Sequence, residues 1–227
     1  MKIARELERR LEAMLDGIAS RIFRGDLHPS EMVARIAREA ELAEFESVAG
    51  PATANNFRLS IHPSKLAGAD TTTDKLTMEL ARAFSELAAD RGWRLEGPVT
   101  VQVVPEPGVP PGSVRCQATV VKGRLRPWAY LVGDRQLPVA PNRSLLGRGA
   151  DCDIVLDAAE VSRHHAVIFR QDGQAYIVDL DSANGTTMNG AAVGHIPAKL
   201  DEGSKLSLAG LDFLFTRDSR LAPRGHR

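Results

Sequence analysis

Residues 161–193 read VSRHHAVIFRQDGQAYIVDLDSANGTTMNGAAV, and their reading decides the fold. Two Asn-Gly dipeptides, Asn184-Gly185 and Asn189-Gly190, fall five residues apart. Asn-Gly favours turns because both residues tolerate positive φ at low cost. Strand-like runs flank these turns at 165–170, 175–180, 186–188 and 191–193. Further runs of the same kind lie at 129–132, 136–139, 144–146, 154–156, 205–208 and 212–216. Short strands at close spacing, with no helical period between them, predict an all-β sandwich over residues 128–217.

Upstream of Lys122 the text changes to helical period. Ile3, Leu7, Leu11, Met14, Leu15, Ile18 and Ile22 form one apolar stripe, which predicts an amphipathic helix over 2–22. Met32, Val33, Ile36, Ala40 and Ala43 continue a second helix to about Glu46, with Pro29 or Ser30 near its start. Residues 57–61 alternate apolar and polar as a half-buried strand does. A third helix follows Thr73-Asp74 to about Asp90, with Leu76, Leu80, Phe84 and Leu87 on one face. Strands at 99–104 and 113–121 are joined by the proline-rich loop PEPGVPPG. The order ααβαββ predicts an N-terminal α+β domain over 1–122. A short linker, 123–127, leads to the sandwich, and the basic residues 218–227 read as a disordered tail.

Composition narrows the function classes. The chain has 227 residues, 43% hydrophobic and 26% charged, as an ordinary soluble protein does. Lys+Arg and Asp+Glu both number 29, so no global field recruits nucleic acid or anionic membrane. Residues 1–126 carry 18 basic and 17 acidic side chains, and 127–217 carry 8 and 11. Neither half has the basic stripe of a duplex-binding module, so no DNA partner is expected. The charged N-terminus is neither a signal peptide nor a span, and no run approaches 18 apolar residues. The expectation is therefore a cytoplasmic protein that contacts the membrane only through a partner. Cys116 and Cys152 lie 36 residues apart, show no metal-ligand spacing and read as reduced thiols.

Three loops of the sandwich share a chemical vocabulary: Leu146-Gly147-Arg148-Gly149, Val161-Ser162-Arg163-His164-His165 and Ser182-Ala183-Asn184-Gly185-Thr186. They offer two guanidinium groups, a hydroxyl, an amide and backbone N–H groups beside glycines. Those groups suit a tetrahedral dianion, arginine supplying charge and a donor fork.

The combination of GR, SRxH fourteen residues after that arginine, and SxNGT followed by NG resembles the forkhead-associated (FHA) domain. The resemblance covers about residues 128–217. It implies a sandwich of about eleven strands whose loops bind phosphothreonine peptides. Carried over by position, Arg148 and Ser162 would hold the phosphate, with Arg163 assisting. Asn184 would bond the peptide main chain. Gly147, His165, Gly185, Asn189 and Gly190 would shape the loops, and Glu160 would face the peptide as a specificity residue. The family often has Thr or Ser before the NGT asparagine. Here Ala183 stands there, which implies a somewhat weaker or less selective site.

RIFRGDLHPSEMVARIAREAE (21–41), NNFRLSIHPSKL (55–66) and RGWRLEGPVTVQV (91–103) resemble the N-terminal domain of actinobacterial FhaA-type proteins. That family joins the domain to an FHA module, usually across a long linker that this chain nearly lacks. The likeness implies action beside Ser/Thr protein kinases, phosphothreonine-containing partners, and cell-wall or division proteins met through the N-terminal domain.

Competing readings concern particular residues. His164 and His165 are adjacent, so they face opposite sides of a strand and make no metal pair; no metal and no cofactor are expected. Ser162, His165 and Asp179 invite a hydrolase, yet no G-x-S-x-G elbow is present and no base is expected beside the hydroxyl. Thr71-Thr72-Thr73-Asp74 reads as a helix cap with loop, its alternative being a kinase target. A KH-like RNA binder is the alternative for the α+β domain, opposed by neutral charge and the lack of a basic G-x-x-G loop.

Overall fold

The computed structural model describes residues 29–65 and 70–218. The helix predicted over 2–22 and the tail from residue 219 lie outside them. The described residues of Met1–Phe45, Ala52–Ala88 and Leu95–Arg124 form one compact unit. Those of Glu46–Pro51, Ala89–Arg94 and Leu125–Arg227 form a second.

The first unit packs helices on a small sheet. Helix α1 (Pro29–Leu42) buries Met32, Val33, Ile36 and Ala40, the stripe expected from the sequence. It ends at Leu42 rather than near Glu46. A hairpin of β1 (Phe45–Ser47) and β2 (Gly50–Ala52) follows, which helical period cannot reveal and whose residues Glu46–Pro51 belong to the second unit. Gly50 takes φ +101°, and Ser47 Oγ donates to its carbonyl at 2.7 Å, so the turn is fixed locally. Strand β3 (Asn56–Ile61) leads through a 3-10 turn (Pro63–Lys65) to helix α2 (Asp70–Asp90). The helix begins before the threonine cluster instead of after it. Its buried stripe of Leu76, Leu80, Phe84 and Leu87 sets the helix face but not its first residue.

Strands β4 (Thr100–Pro105) and β5 (Val114–Thr119) complete the sheet in the order β4-β3-β5. Strand β3 runs parallel to β4 and antiparallel to β5. Phe57 meets Phe84 edge-on, with ring centroids 4.7 Å apart, a geometry that aromatic quadrupoles favour. Asn55 is fully buried because its amide is satisfied three times, donating to the carbonyls of Pro98 and Val121 and accepting from Val121 N–H.

The second unit is all β. Its strands are β6 (Ala129–Val132), β7 (Gln136–Val139), β8 (Arg143–Gly147), β9 (Ile154–Val155), β10 (Ala166–Gln171), β11 (Gln174–Asp179), β12 (Thr186–Met188), β13 (Ala191–Val193), β14 (Ala198–Lys199), β15 (Lys205–Leu208) and β16 (Leu211–Thr216). They build a five-stranded sheet, β14-β11-β10-β8-β9, and a six-stranded sheet, β13-β12-β15-β16-β6-β7. One core from both sheets includes Leu131, Leu146, Ile168, Ile177, Leu208 and Phe215. A smaller apolar cluster, Leu145, Val167 and Phe169 with Ala49 and Cys152, covers the other face of the five-stranded sheet. There the Arg143 guanidinium lies 4.3 Å over the Phe169 ring and donates to the carbonyls of Ala49 and Gly92. Arg94 grips Asp153 bidentately, and Asp153 also accepts the Leu145 N–H. Both cysteines are free and buried, and burial pushes the Cys116 thiol up to about 12.

Candidate functional site

Strand β8 runs into the first loop at Gly147, β10 begins just after the second at Ala166, and the third connects β11 to β12. A backbone ladder ties the first two. Arg148 N–H donates to Ser162 O and Gly149 N–H to Arg163 O, both at 3.0 Å, and His165 N–H donates to Leu146 O at 2.8 Å. Gly147 makes this closeness possible. A Cβ there would collide with the Arg163 carbonyl and lie 2.9 Å from Ser162 O, both of them backbone. Gly147→Ala should therefore push the loops apart, costing about 1–2 kcal/mol by overpacking. Calorimetric melting tests this; an unchanged transition would mean the loops separate without penalty.

The third loop is tied in through side chains and His165. Ala183 N–H donates to Ser162 Oγ at 3.0 Å, and Asn184 Nδ2 donates to Glu160 O at 2.7 Å. His165 is fully buried. Its Nδ1 accepts from Ser162 N–H at 3.3 Å, which puts the ring proton on Nε2, 3.2 Å from Gly185 O. Gly185 adopts φ +73°, a conformation that side chains resist. The second Asn-Gly joins β12 to β13 with both residues at positive φ, +52° and +85°. Asn189 Oδ1 accepts from Lys205 N–H at 2.9 Å, pinning that turn to β15.

Beneath the third loop sits Asp179, 6% exposed, whose carboxylate accepts from Ser182 N–H, Ser182 Oγ and Thr186 Oγ1 at 2.6–2.8 Å. Burial pushes this carboxyl up, but the bonds from Thr186 and Ser182 outweigh it and hold it below the usual carboxylate range. The sequence alone offers Asp179 only as a triad member beside Ser162 and His165. Its position ahead of SxNGT, whose Ser and Thr turn inward to it, is the signal that could have identified it as a brace.

What remains facing solvent is the chemistry predicted for an anion. Arg148, Arg163, Glu160 and Asn184 are exposed, and Ser162 is partly so. Among the described residues, neither the Arg148 nor the Arg163 guanidinium forms an ion pair. Ser162 Oγ spends a lone pair on Ala183 N–H and keeps its own proton to donate. Asn184 likewise keeps its carbonyl oxygen for an incoming N–H. One expectation needs correcting: the N–H groups of Arg148 and Gly149 already bond the second loop, so they do not serve a ligand. The hydrolase reading gains no geometry, because both His165 nitrogens bond backbone groups rather than the Ser162 hydroxyl.

No helix among the described residues is long and apolar enough to cross a membrane. Two family models match the chain: the FHA domain over residues 145–209, and the FhaA N-terminal domain over residues 5–117. The glycogen accumulation regulator GarA of Mycobacterium tuberculosis is 33% identical over 125 residues, which are 53% of this chain and 69% of GarA. The ABC transporter ATP-binding/permease protein Rv1747 of the same species is 38% identical over 107 residues, 47% of this chain but 11% of the transporter. The chain thus spans about a tenth of that transporter's length. The crystal structure of the FhaA FHA domain complexed with the intracellular domain of Rv3910 aligns at 30% identity and a TM-score of 0.36, over 38% of this chain and 98% of that one.

Proposed function

Since the chain belongs to the FHA-domain proteins of the FhaA type, with an FhaA-like N-terminal domain ahead of an FHA domain, we propose that it is a non-enzymatic adaptor that binds phosphothreonine peptides. The observation that carries this reading is the set of exposed Arg148, Arg163 and Asn184 with the partly exposed Ser162 on three interlocked loops. Two unpaired guanidiniums and a hydroxyl with its proton free match a phosphate dianion. The amide of Asn184 then reads the peptide main chain, which contributes affinity without dictating sequence. The protein would act in the cytoplasm beside Ser/Thr protein kinases, reaching cell-wall or division proteins through its N-terminal domain. Calorimetry against a phosphothreonine peptide and its unphosphorylated twin tests the reading. Micromolar binding, on the order of −7 to −8 kcal/mol, is expected for the first only.

An RNA role for the N-terminal unit finds no support in its sheet. Among the described residues, the sheet face that carries Arg58, Gln102, Arg115 and Gln117 holds no aromatic ring on which a base could stack. Arg115 is moreover paired with Glu106 at 2.8 Å.

Peptide preference follows from Glu160. Its carbonyl is fixed by Asn184 while its side chain is exposed at the rim. A carboxylate there disfavours an acidic residue three positions after the phosphothreonine, by roughly 0.5–1 kcal/mol at low salt. Glu160→Arg should reverse the order, and the difference should shrink as salt rises. A peptide array on which the unaltered protein favours Asp at that position would show that Glu160 faces away from the ligand.

A further inference from the structure

A cluster beside the phosphate-facing loops has no part in the site described above. Asp151 and Cys152 follow the Gly147-Arg148-Gly149 turn, and His164 lies between Arg163 and His165. One donor atom from each, a carboxylate oxygen, the thiol sulfur and an imidazole nitrogen, all lie within 4.8 Å of one another. His164 Nε2 and Asp151 Oδ2 share a hydrogen bond of 2.7 Å. Cys152 Sγ, in a free thiol, donates to Arg163 O at 3.1 Å. The three side chains grade from inside to outside: Cys152 is 8% exposed, the His164 side chain 33% and that of Asp151 66%. An ion arriving from solvent would meet the carboxylate first and the thiol last.

We propose that Asp151, Cys152 and His164 form a transition-metal site, of the kind zinc occupies, with one coordination position open. Thiolate, imidazole and carboxylate are the donor types zinc takes, at bond lengths of about 2.0–2.3 Å. A tetrahedral ion with such bonds holds its ligand atoms roughly 3.3–3.7 Å apart. The present cluster reaches that spacing by an adjustment of about an ångström, chiefly through side-chain rotation. On binding, the metal takes the place of the proton between His164 and Asp151; that proton leaves Nε2 for solvent, and the neutral ring carries its proton on Nδ1. The Cys152 thiol releases its own proton to solvent and exchanges its bond to the Arg163 carbonyl for a bond to the metal. Calcium and magnesium do not suit this set, because they select oxygen ligands.

Sequence spacing hides the site: two ligands are adjacent and the third lies on another loop. The bonds from Gly149 N–H and Cys152 Sγ to the Arg163 carbonyl are what bring them together. A metal here would staple the loops that carry Arg148 and Arg163. Its existence does not depend on what those loops bind.

Cobalt(II) added to the reduced, metal-free full chain is the probe. The expected result is a near-ultraviolet thiolate-to-cobalt absorption that saturates at one equivalent and is displaced by zinc. Cys152→Ser should abolish the band. His164→Gln, at a partly exposed position, should weaken cobalt binding by at least about tenfold, since even loss of a group that only hydrogen-bonds a ligand costs about that much. Circular dichroism establishes that each variant is folded; if Cys152→Ser is not, His164→Gln decides. Absence of the band from the unaltered protein overturns the proposal. So does a band that keeps its affinity in His164→Gln, since cobalt would then be held elsewhere.

Discussion

Arg148→Ala is expected to weaken phosphothreonine-peptide binding by at least about 2 kcal/mol, roughly thirtyfold. The size follows from what the side chain does in the free protein. Its backbone N–H is committed to Ser162 O, which fixes the residue between Gly147 and Gly149, while the guanidinium is exposed. Alanine keeps the backbone bond and the loop, so the loss falls on the ligand rather than on folding. Arg148→Lys separates charge from geometry, because an ammonium keeps the charge but not the two-pronged fork. It should fall between the unaltered protein and alanine. Isothermal titration with phosphorylated and unphosphorylated peptides reads both variants. If Arg148→Ala binds as tightly as the unaltered protein, the phosphate is not held at these loops.

Asp179→Ala should destabilise the second unit by about 3 kcal/mol, lowering its melting temperature by about 10 °C. The carboxylate accepts three hydrogen bonds, and Thr186, 2% exposed, has no solvent to turn to when the acceptor is removed. The pH dependence has a definite sign. A carboxyl whose pKa is lower in the folded state contributes stability that is complete above its unfolded pKa. That contribution is lost as pH falls through the folded value, so it fades below about pH 4. Asp151, lowered by its hydrogen bond from His164, titrates in the same direction. The informative quantity is therefore the difference between the unaltered protein and Asp179→Asn. It should be nearly constant at neutral pH and shrink on acidification. Scanning calorimetry from pH 3 to pH 7 measures it. A transition within about 2 °C of the unaltered protein's would show that Asp179 does not brace the loop.

Much of the architecture was legible because it rests on local preferences. Ile36, Leu80 and Phe84 recur at helical spacing and are buried on helices; Phe57, Leu59 and Ile61 alternate and are buried on a strand. Asn189-Gly190 reads as a turn and forms one, because positive φ is a property of those residues themselves. The residues of SRxH and SxNGT could likewise be singled out, since their chemistry is written in their side chains. Where α1 stops was not legible. Ala43 continues the helical period and its N–H still bonds Glu39 O, yet the chain enters the β1–β2 hairpin at Phe45.

The amino-acid sequence by itself determined the alternation of elements, the turns and the kinds of functional group the loops carry. Tertiary structure alone decided which of those groups remain available. Arg148 and Gly149 lose their N–H groups to a neighbouring loop, Ser162 Oγ takes the Ala183 N–H, and Asp179 becomes a brace. It also decided that Asp151 and Cys152 meet His164. The physical reason is that a hydrogen-bonding group has few bonds to give. Which partner takes them depends on residues distant in sequence and close in space, held there by backbone contacts that no side-chain pattern records.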